Sequence, residues 1–99
     1  MIPAEFHKFL LDNGHALVRD IDGGRWAALT QFAFTIAIVT GKVGDRTGYD
    51  DRWCYRDIND AARALLDWDG TGEPTGWHRH PATGRRRPAG NVAEEYINP

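Results

Sequence analysis

A chain of 99 residues with 41% hydrophobic and 26% charged side chains has the size and composition of one small globular domain. Its net charge is −2, so the overall electric field of the molecule does not attract nucleic acid or an anionic membrane. The single cysteine, Cys54, excludes an internal disulfide, which fits a reducing compartment.

The first third of the sequence predicts a short helix followed by a β-hairpin. Pro3 suits the first helical position, and apolar residues at helical spacing predict a helix that ends near Asn13. Apolar residues then predict a strand over His15–Ile21. The glycine pair after Asp22 allows the positive φ angles of a hairpin turn, so residues 25–30 are predicted to be the returning strand.

The apolar run over residues 32–40 alternates in side-chain size, as expected of a strand. The larger residues that share one face are Phe32, Phe34, Ile36 and Ile38, and those on the opposite face are Ala33, Thr35, Ala37 and Val39. We expect the large face to meet the helices and the small face to be half exposed or closely approached by another segment. Three glycines within residues 41–50 predict a loop.

Residues 51–70 predict a strand that passes almost directly into an amphipathic helix. The strand pattern covers residues 52–56, with Trp53 and Tyr55 on one face and Arg52, Cys54 and Arg56 on the other. The predicted buried face of the helix consists of Ile58, Ala61, Ala62, Leu65 and Trp68. Asp57 is a favourable N-cap, and Gly70 suits the left-handed conformation that ends a helix.

These elements predict an α+β fold with an N-terminal helix, a three- or four-stranded antiparallel sheet, and a second helix packed on it. Residues 1–70 form the predicted core domain. Residues 71–99 hold four of the five prolines and are predicted to be an extended C-terminal arm. A short docked element over residues 94–97 is expected to attach through Tyr96 and Ile97.

Charge is distributed unevenly along the second half of the chain. Residues 44–73 carry eight acidic side chains against four arginines, whereas residues 74–90 carry four arginines and no acid. An acidic block is therefore followed by a basic one.

The arm segment over residues 77–87 is the candidate binding site. Guanidinium groups pair with phosphates or carboxylates, and aromatic rings beside them stack on bases. The predicted partner- or nucleic-acid-binding residues are Trp77, His78, Arg79, His80, Arg85, Arg86 and Arg87. Three interpretations stay open: the arginines pair with the acidic block of the same chain, contact a partner protein, or contact nucleic acid.

The sequence favours neither a cofactor, nor a metal, nor a catalytic residue. His78 and His80 share one side of an extended segment, but further metal ligands at a recognisable spacing are missing. Residues 67–73 resemble the start of a calcium loop, yet His78 stands where the bidentate carboxylate belongs. Cys54 within a strand predicts a buried, inert thiol, and Asp50 and Asp51 predict a solvated loop.

Four segments resemble those of a group of small phage and alphaproteobacterial proteins with no assigned activity: YDDRWCY at 49–55, WDG at 68–70, GWHRHP at 76–81 and GRRR at 84–87. This resemblance implies a phage or prophage context, in which compact inhibitors such as anti-CRISPR proteins occur. The α-β-β-β-α order also resembles double-stranded RNA-binding domains. Residues 57–60, however, read DIND where those domains place basic residues, which argues against that surface binding RNA.

We therefore expect a non-enzymatic binding module that occludes or modulates a host protein or nucleoprotein, such as a phage-borne inhibitor. The alternative is a nucleic-acid-binding accessory protein that uses the arm. The N-terminus lacks a signal-peptide pattern and no run is apolar enough to span a bilayer, so we expect a cytoplasmic protein of a bacterial host without a membrane partner. The sequence leaves the oligomeric state open.

Overall fold

The structure, a computed structural model, describes residues 2–32 and 35–77. Its two helices and four strands follow the predicted order. They are α1 Ala4–Asp12, β1 His15–Ile21, β2 Arg25–Gln31, β3 Ile36–Lys42, β4 Asp51–Tyr55 and α2 Ile58–Asp67. The strands form one antiparallel sheet in the order β1-β2-β3-β4. The predicted α+β class is therefore confirmed, with four strands.

Both faces of the sheet are buried, each under one helix. The α2-side core consists of Ile21, Ala27, Leu29, Ile36, Ile38, Trp53, Tyr55, Ala61, Ala64, Leu65 and Trp68. The α1-side core consists of Phe6, Leu10, Trp26, Ala28, Ala37, Val39 and Cys54. The expectation that both helices meet the large face was wrong, because α1 covers the small face. Small side chains in β3 leave room there for the rings of Phe6 and Trp26.

The start of β3 also differs from the prediction. The strand begins at Ile36, and the Phe32 N–H donates to the Thr35 carbonyl just before it at 2.8 Å. Phe32 packs against the α1-side core and therefore does not share a face with Ile36. The predicted positions of Ala33 and Phe34 lie outside the described residues.

Helix α2 begins as predicted, with Asp57 at its N-cap. The Asp57 carboxylate accepts a hydrogen bond from the Asn59 N–H at 3.1 Å, which satisfies one of the free amides of the first turn. The predicted buried face is only partly right, because Ile58 is 57% exposed while Ala64 is buried. The stripe of contact with the sheet lies further along the helix than the spacing alone indicates.

The C-terminal end of α2 is capped by arginines from the sheet. Arg19 of β1 donates from Nη1 to the carbonyls of Leu65 and Trp68, the latter at 2.8 Å. These carbonyls carry the negative end of the helix dipole, which a guanidinium stabilises. Gly70 was predicted to end the helix but lies three residues beyond Asp67, with φ +92° and its Cα against the side chain of Ile21. Its carbonyl accepts from Arg25 Nη2 at 2.6 Å.

Edge strand β1 contains a bulge between Ala16 and Arg19. Leu17 and Val18 there oppose the single residue Ala28 of β2. Leu17 has φ +50°, the left-handed region that disfavours residues with a β-carbon, and its side chain is 50% exposed. The bulge therefore turns an aliphatic side chain toward solvent in a strained backbone conformation.

Three tryptophans are core residues. Trp26, Trp53 and Trp68 are each less than 7% exposed. The Trp26 ring lies directly on Gly41 of the neighbouring strand, where an added β-carbon would be 2.8 Å from three ring atoms. A glycine at this position is what lets the largest side chain lie flat against the sheet.

Candidate interaction site at the start of the arm

The first residues of the predicted arm are hydrogen-bonded to aromatic side chains of the core. We call residues 71–77 the arm root. The Tyr55 hydroxyl donates to the Thr75 carbonyl at 2.6 Å, and Trp53 Nε1 donates to the Glu73 carboxylate at 3.3 Å. Trp68 Nε1 donates to the Thr71 carbonyl at 2.8 Å. Three polar atoms on otherwise buried rings therefore hold the arm root against β4 and the end of α2.

The ring of Tyr55 is buried at this attachment. Burial raises the pKa of Tyr55 above its usual value, which is already high enough to keep the hydroxyl protonated at neutral pH. A protonated hydroxyl is the form that donates to Thr75. The Gly76 backbone passes over the same ring, where an added β-carbon would be 3.7 Å from the Tyr55 ring edge.

Trp77 is the last residue that the structure describes, and it is partly buried against the α2-side core. It is the one predicted binding residue within the described part of the chain. The others, His78, Arg79, His80, Arg85, Arg86 and Arg87, lie outside the described residues, as does the predicted element at 94–97. Packing of Trp77 fixes the point at which the basic segment starts.

Two acidic grooves run between the arm root and α2. One has a volume of about 230 Å³ and is lined by Asp60 and Asp67 together with Tyr55. The second, about 360 Å³, is lined by Asp67, Asp69 and Glu73. Arg63, which lies beside Asp60 at 3.9 Å, is the one basic side chain among their lining residues. The grooves are suited to cationic groups.

Asp69 turns the chain at the end of α2. Its carboxylate accepts from the Thr71 N–H at 2.9 Å and from the Thr71 hydroxyl at 2.7 Å, and these hydrogen bonds lower the pKa of Asp69. Asp45 makes the same two bonds with Thr47 in the loop between β3 and β4. The residues of the calcium-loop pattern thus form a turn. Within residues 2–32 and 35–77 no group of three or more acidic, histidine or cysteine side chains is arranged to hold a metal.

The candidate nucleophile and the candidate carboxylates of the sequence lie apart from these grooves. Cys54 is fully buried in the α1-side core, as predicted for an inert thiol. Asp51 accepts from the Arg52 N–H at 3.0 Å and is partly buried at the start of β4. Neither described helix has the length and apolarity that crossing a bilayer requires.

No family model, curated protein or solved structure matches this chain. The resemblance to phage proteins and the function drawn from it therefore stay predictions.

Sequence reasoning missed two features of this region. It did not identify Tyr55, Glu73 and Thr75 as the attachment of the arm root, because residues 20 apart share no periodicity. It also placed Ile58 in the core, whereas its exposed side chain and that of Leu17 face a common groove. A leucine in a left-handed bulge has no sequence signature, since glycine is the residue expected there.

Proposed function

We propose that this chain is a binding module without a catalytic role, which occludes or modulates a partner protein or nucleoprotein complex. The recognising segment is residues 77–87. The observation that carries the proposal is the anchored arm root, because it fixes the start of the basic segment on the core. An anchored start lowers the conformational entropy that the segment loses when it binds.

The distribution of charge supports a charged partner. The grooves beside the arm root are lined by the carboxylates of Asp60, Asp67, Asp69 and Glu73, and four arginines follow along the chain between residues 79 and 87. The proposed module therefore carries both signs of charge. A nucleoprotein also presents both signs, with phosphates for the guanidiniums and basic protein side chains for the carboxylates. A phage-borne inhibitor of the anti-CRISPR type is the setting that the sequence resemblance suggests for such a module.

Affinity capture from a bacterial host lysate tests the proposal. The wild type is compared with a variant in which Arg85, Arg86 and Arg87 are alanine. A matched control removes three other cations, Lys8, Lys42 and Arg46, which are exposed on the core and line neither groove. We expect the arm variant to lose partners that the wild type and the control both retain. Equal recovery of the same proteins by all three chains would show that the arm arginines do not take part in recognition.

The competing candidate is direct binding of nucleic acid, favoured by an aromatic residue followed at once by basic ones. Each phosphate contact makes affinity fall with salt, with a slope of about −0.9 per contact on a logarithmic plot for duplex DNA. If the arm binds phosphates, the triple alanine variant flattens the slope by roughly two to three units. An affinity that does not change with salt, or no binding at low salt, excludes this candidate and leaves a protein surface as the target.

A further inference from the structure

An uncharged groove lies on the α2 side of the sheet, between the β1 bulge and the first turn of α2. Its volume is about 390 Å³, and none of its nine lining residues carries a charge. The apolar lining residues are Ala16, Leu17, Leu29, Ile36, Ile58 and Ala62. In a chain with 26% charged residues, an uncharged surface of this size is suited to an apolar occupant.

Two lining residues are placed at a cost to the fold. Leu17 is 50% exposed and adopts a left-handed conformation that glycine or asparagine would adopt with less strain. Ile58 is 57% exposed at the first position of α2, where a polar residue would serve equally well. Covering both side chains removes apolar surface from water and offsets that cost.

We propose that the occupant of this groove is the C-terminal end of the same chain, residues 92–97. The large apolar side chains beyond Trp77 are Val92, Tyr96 and Ile97, and all three lie within the last eight residues. They carry no charge, like the groove. The carboxylates of Glu94 and Glu95 remain in water on its open side.

Chain length permits this docking. Trp77 and Ala62 both pack against the α2-side core, so the described chain ends on the face that holds the groove. Residues 78–91 connect the two and span up to about 46 Å when extended, at about 3.3 Å per residue. The longest dimension of the molecule is 38 Å. Docking closes the arginine-rich segment into a loop fixed at both ends.

A double-mutant cycle in the full-length chain tests this docking by thermal unfolding. Ile58→Ser and Ile97→Ser are combined, and Leu66→Ser serves as the matched control because Leu66 is 61% exposed on α2 outside the groove. We expect Ile97→Ser to lower Tm by about 4 °C or more. The double variant Ile58→Ser/Ile97→Ser should lose clearly less Tm than the sum of the two single losses. The double variant Leu66→Ser/Ile97→Ser should lose the sum of the two single losses.

Additivity of Ile58→Ser with Ile97→Ser would overturn the proposal and leave the groove for a different partner. A Tm that rises with protein concentration, together with a dimer on gel filtration, would overturn it as well, because the occupant would then belong to a second copy. Nuclear Overhauser contacts between the Ile58 methyl groups and the Tyr96 ring are the direct confirmation. These outcomes do not depend on whether the arginines bind a partner.

Discussion

At the scale of single residues, the fold depends on a few buried side chains that are tightly packed against their neighbours. Trp26 is fully buried, and its indole nitrogen has no hydrogen-bond partner among the described residues. An unpaired buried donor costs free energy, so packing of the ring must compensate. Gly41 makes that packing possible, because its hydrogen atom occupies the place where any other residue would put carbon.

We predict that Gly41→Ala destabilises the protein by about 1–3 kcal/mol, because the methyl group collides with the Trp26 ring. Urea unfolding measures this loss. In a Trp26→Phe background the ring is smaller, so the same substitution should cost clearly less. An equal cost in both backgrounds would show that the collision is not with the indole.

His15 supplies a pH dependence at the same scale. Its Nδ1 lies 2.6 Å from the Thr30 hydroxyl and its ring lies 4.9 Å from that of Trp26. Partial burial lowers the pKa of His15 below the ordinary value of 6.5. The unfolded chain therefore binds a proton at a higher pH than the folded chain, and stability decreases as pH falls through and below 6.5.

We predict that His15→Gln reduces this pH dependence. The free energy of unfolding, measured in urea at pH values from 7.5 to 5, should fall less steeply for the variant than for the wild type. Glutamine keeps a hydrogen-bonding group near Thr30 but has no charge to acquire. Parallel curves for the two proteins would mean that another group controls stability in this range.

At the scale of elements, the contact between β1 and the end of α2 orients the second helix. Arg19 reaches across to the carbonyls of Leu65 and Trp68, and Arg25 reaches Gly70 just beyond. The helix has no basic residue of its own in its last turn. The sheet therefore provides the positive charge that this end of the dipole favours.

We predict that Arg19→Met costs roughly 2 kcal/mol, because it removes charged hydrogen bonds to the carbonyls of α2 while keeping most of the side-chain bulk. Arg63→Met is the matched control. The Arg63 side chain is 73% exposed and lies 3.9 Å from Asp60, so its loss should stay within about 0.5 kcal/mol. Equal midpoints of urea unfolding for the two variants would contradict a capping role for Arg19.

At the scale of the whole molecule, the two helices enclose the sheet and the arm root closes one end of the α2-side core. The Tyr55 and Trp53 side chains that attach it come from β4, an edge strand of the sheet. The root is therefore part of the folded domain as far as Trp77. Both proposals concern what the chain does after that residue.

We predict that Tyr55→Phe loosens the arm root at a cost of about 1 kcal/mol, because the Thr75 carbonyl loses its donor. Amide hydrogen exchange at Gly76 and Trp77 should become faster. Tyr49→Phe, a change in a tyrosine that packs against the other core, should leave exchange at these two amides unchanged. Unaltered exchange in Tyr55→Phe would mean that the other attachments, namely the hydrogen bonds of Trp53 and Trp68 and the packing of Trp77, are enough to hold the root.

Much of this architecture could be predicted because it depends on local patterns. The apolar residues of β1 and the turn glycines after Asp22 predicted His15–Ile21 to the residue, and Asp57 marked the start of α2. The beginning of β3 was misplaced because Phe32 packs against the α1-side core, whereas Ile36 packs on the opposite face of the sheet. Periodicity describes side-chain direction along a strand and contains no information on where the strand begins.

The candidate site was less accessible from sequence for a related reason. The position of Trp77 depends on Tyr55 and Trp53, which tertiary packing brings to the arm root. The exposure of Ile58 depends on which of the apolar residues of α2 contact the sheet. Contacts between distant residues decide both, and no local pattern reports them.

The bulge at Leu17 has a consequence for how molecules of this protein meet one another. An uninterrupted edge strand is a template on which a neighbouring chain can add its own strand, and repeated addition grows fibres. In β1 the ladder is interrupted between Ala16 and Arg19, so a foreign strand finds regular pairing for only two or three residues on either side. The same distortion that strains one leucine therefore blunts this edge against polymerisation.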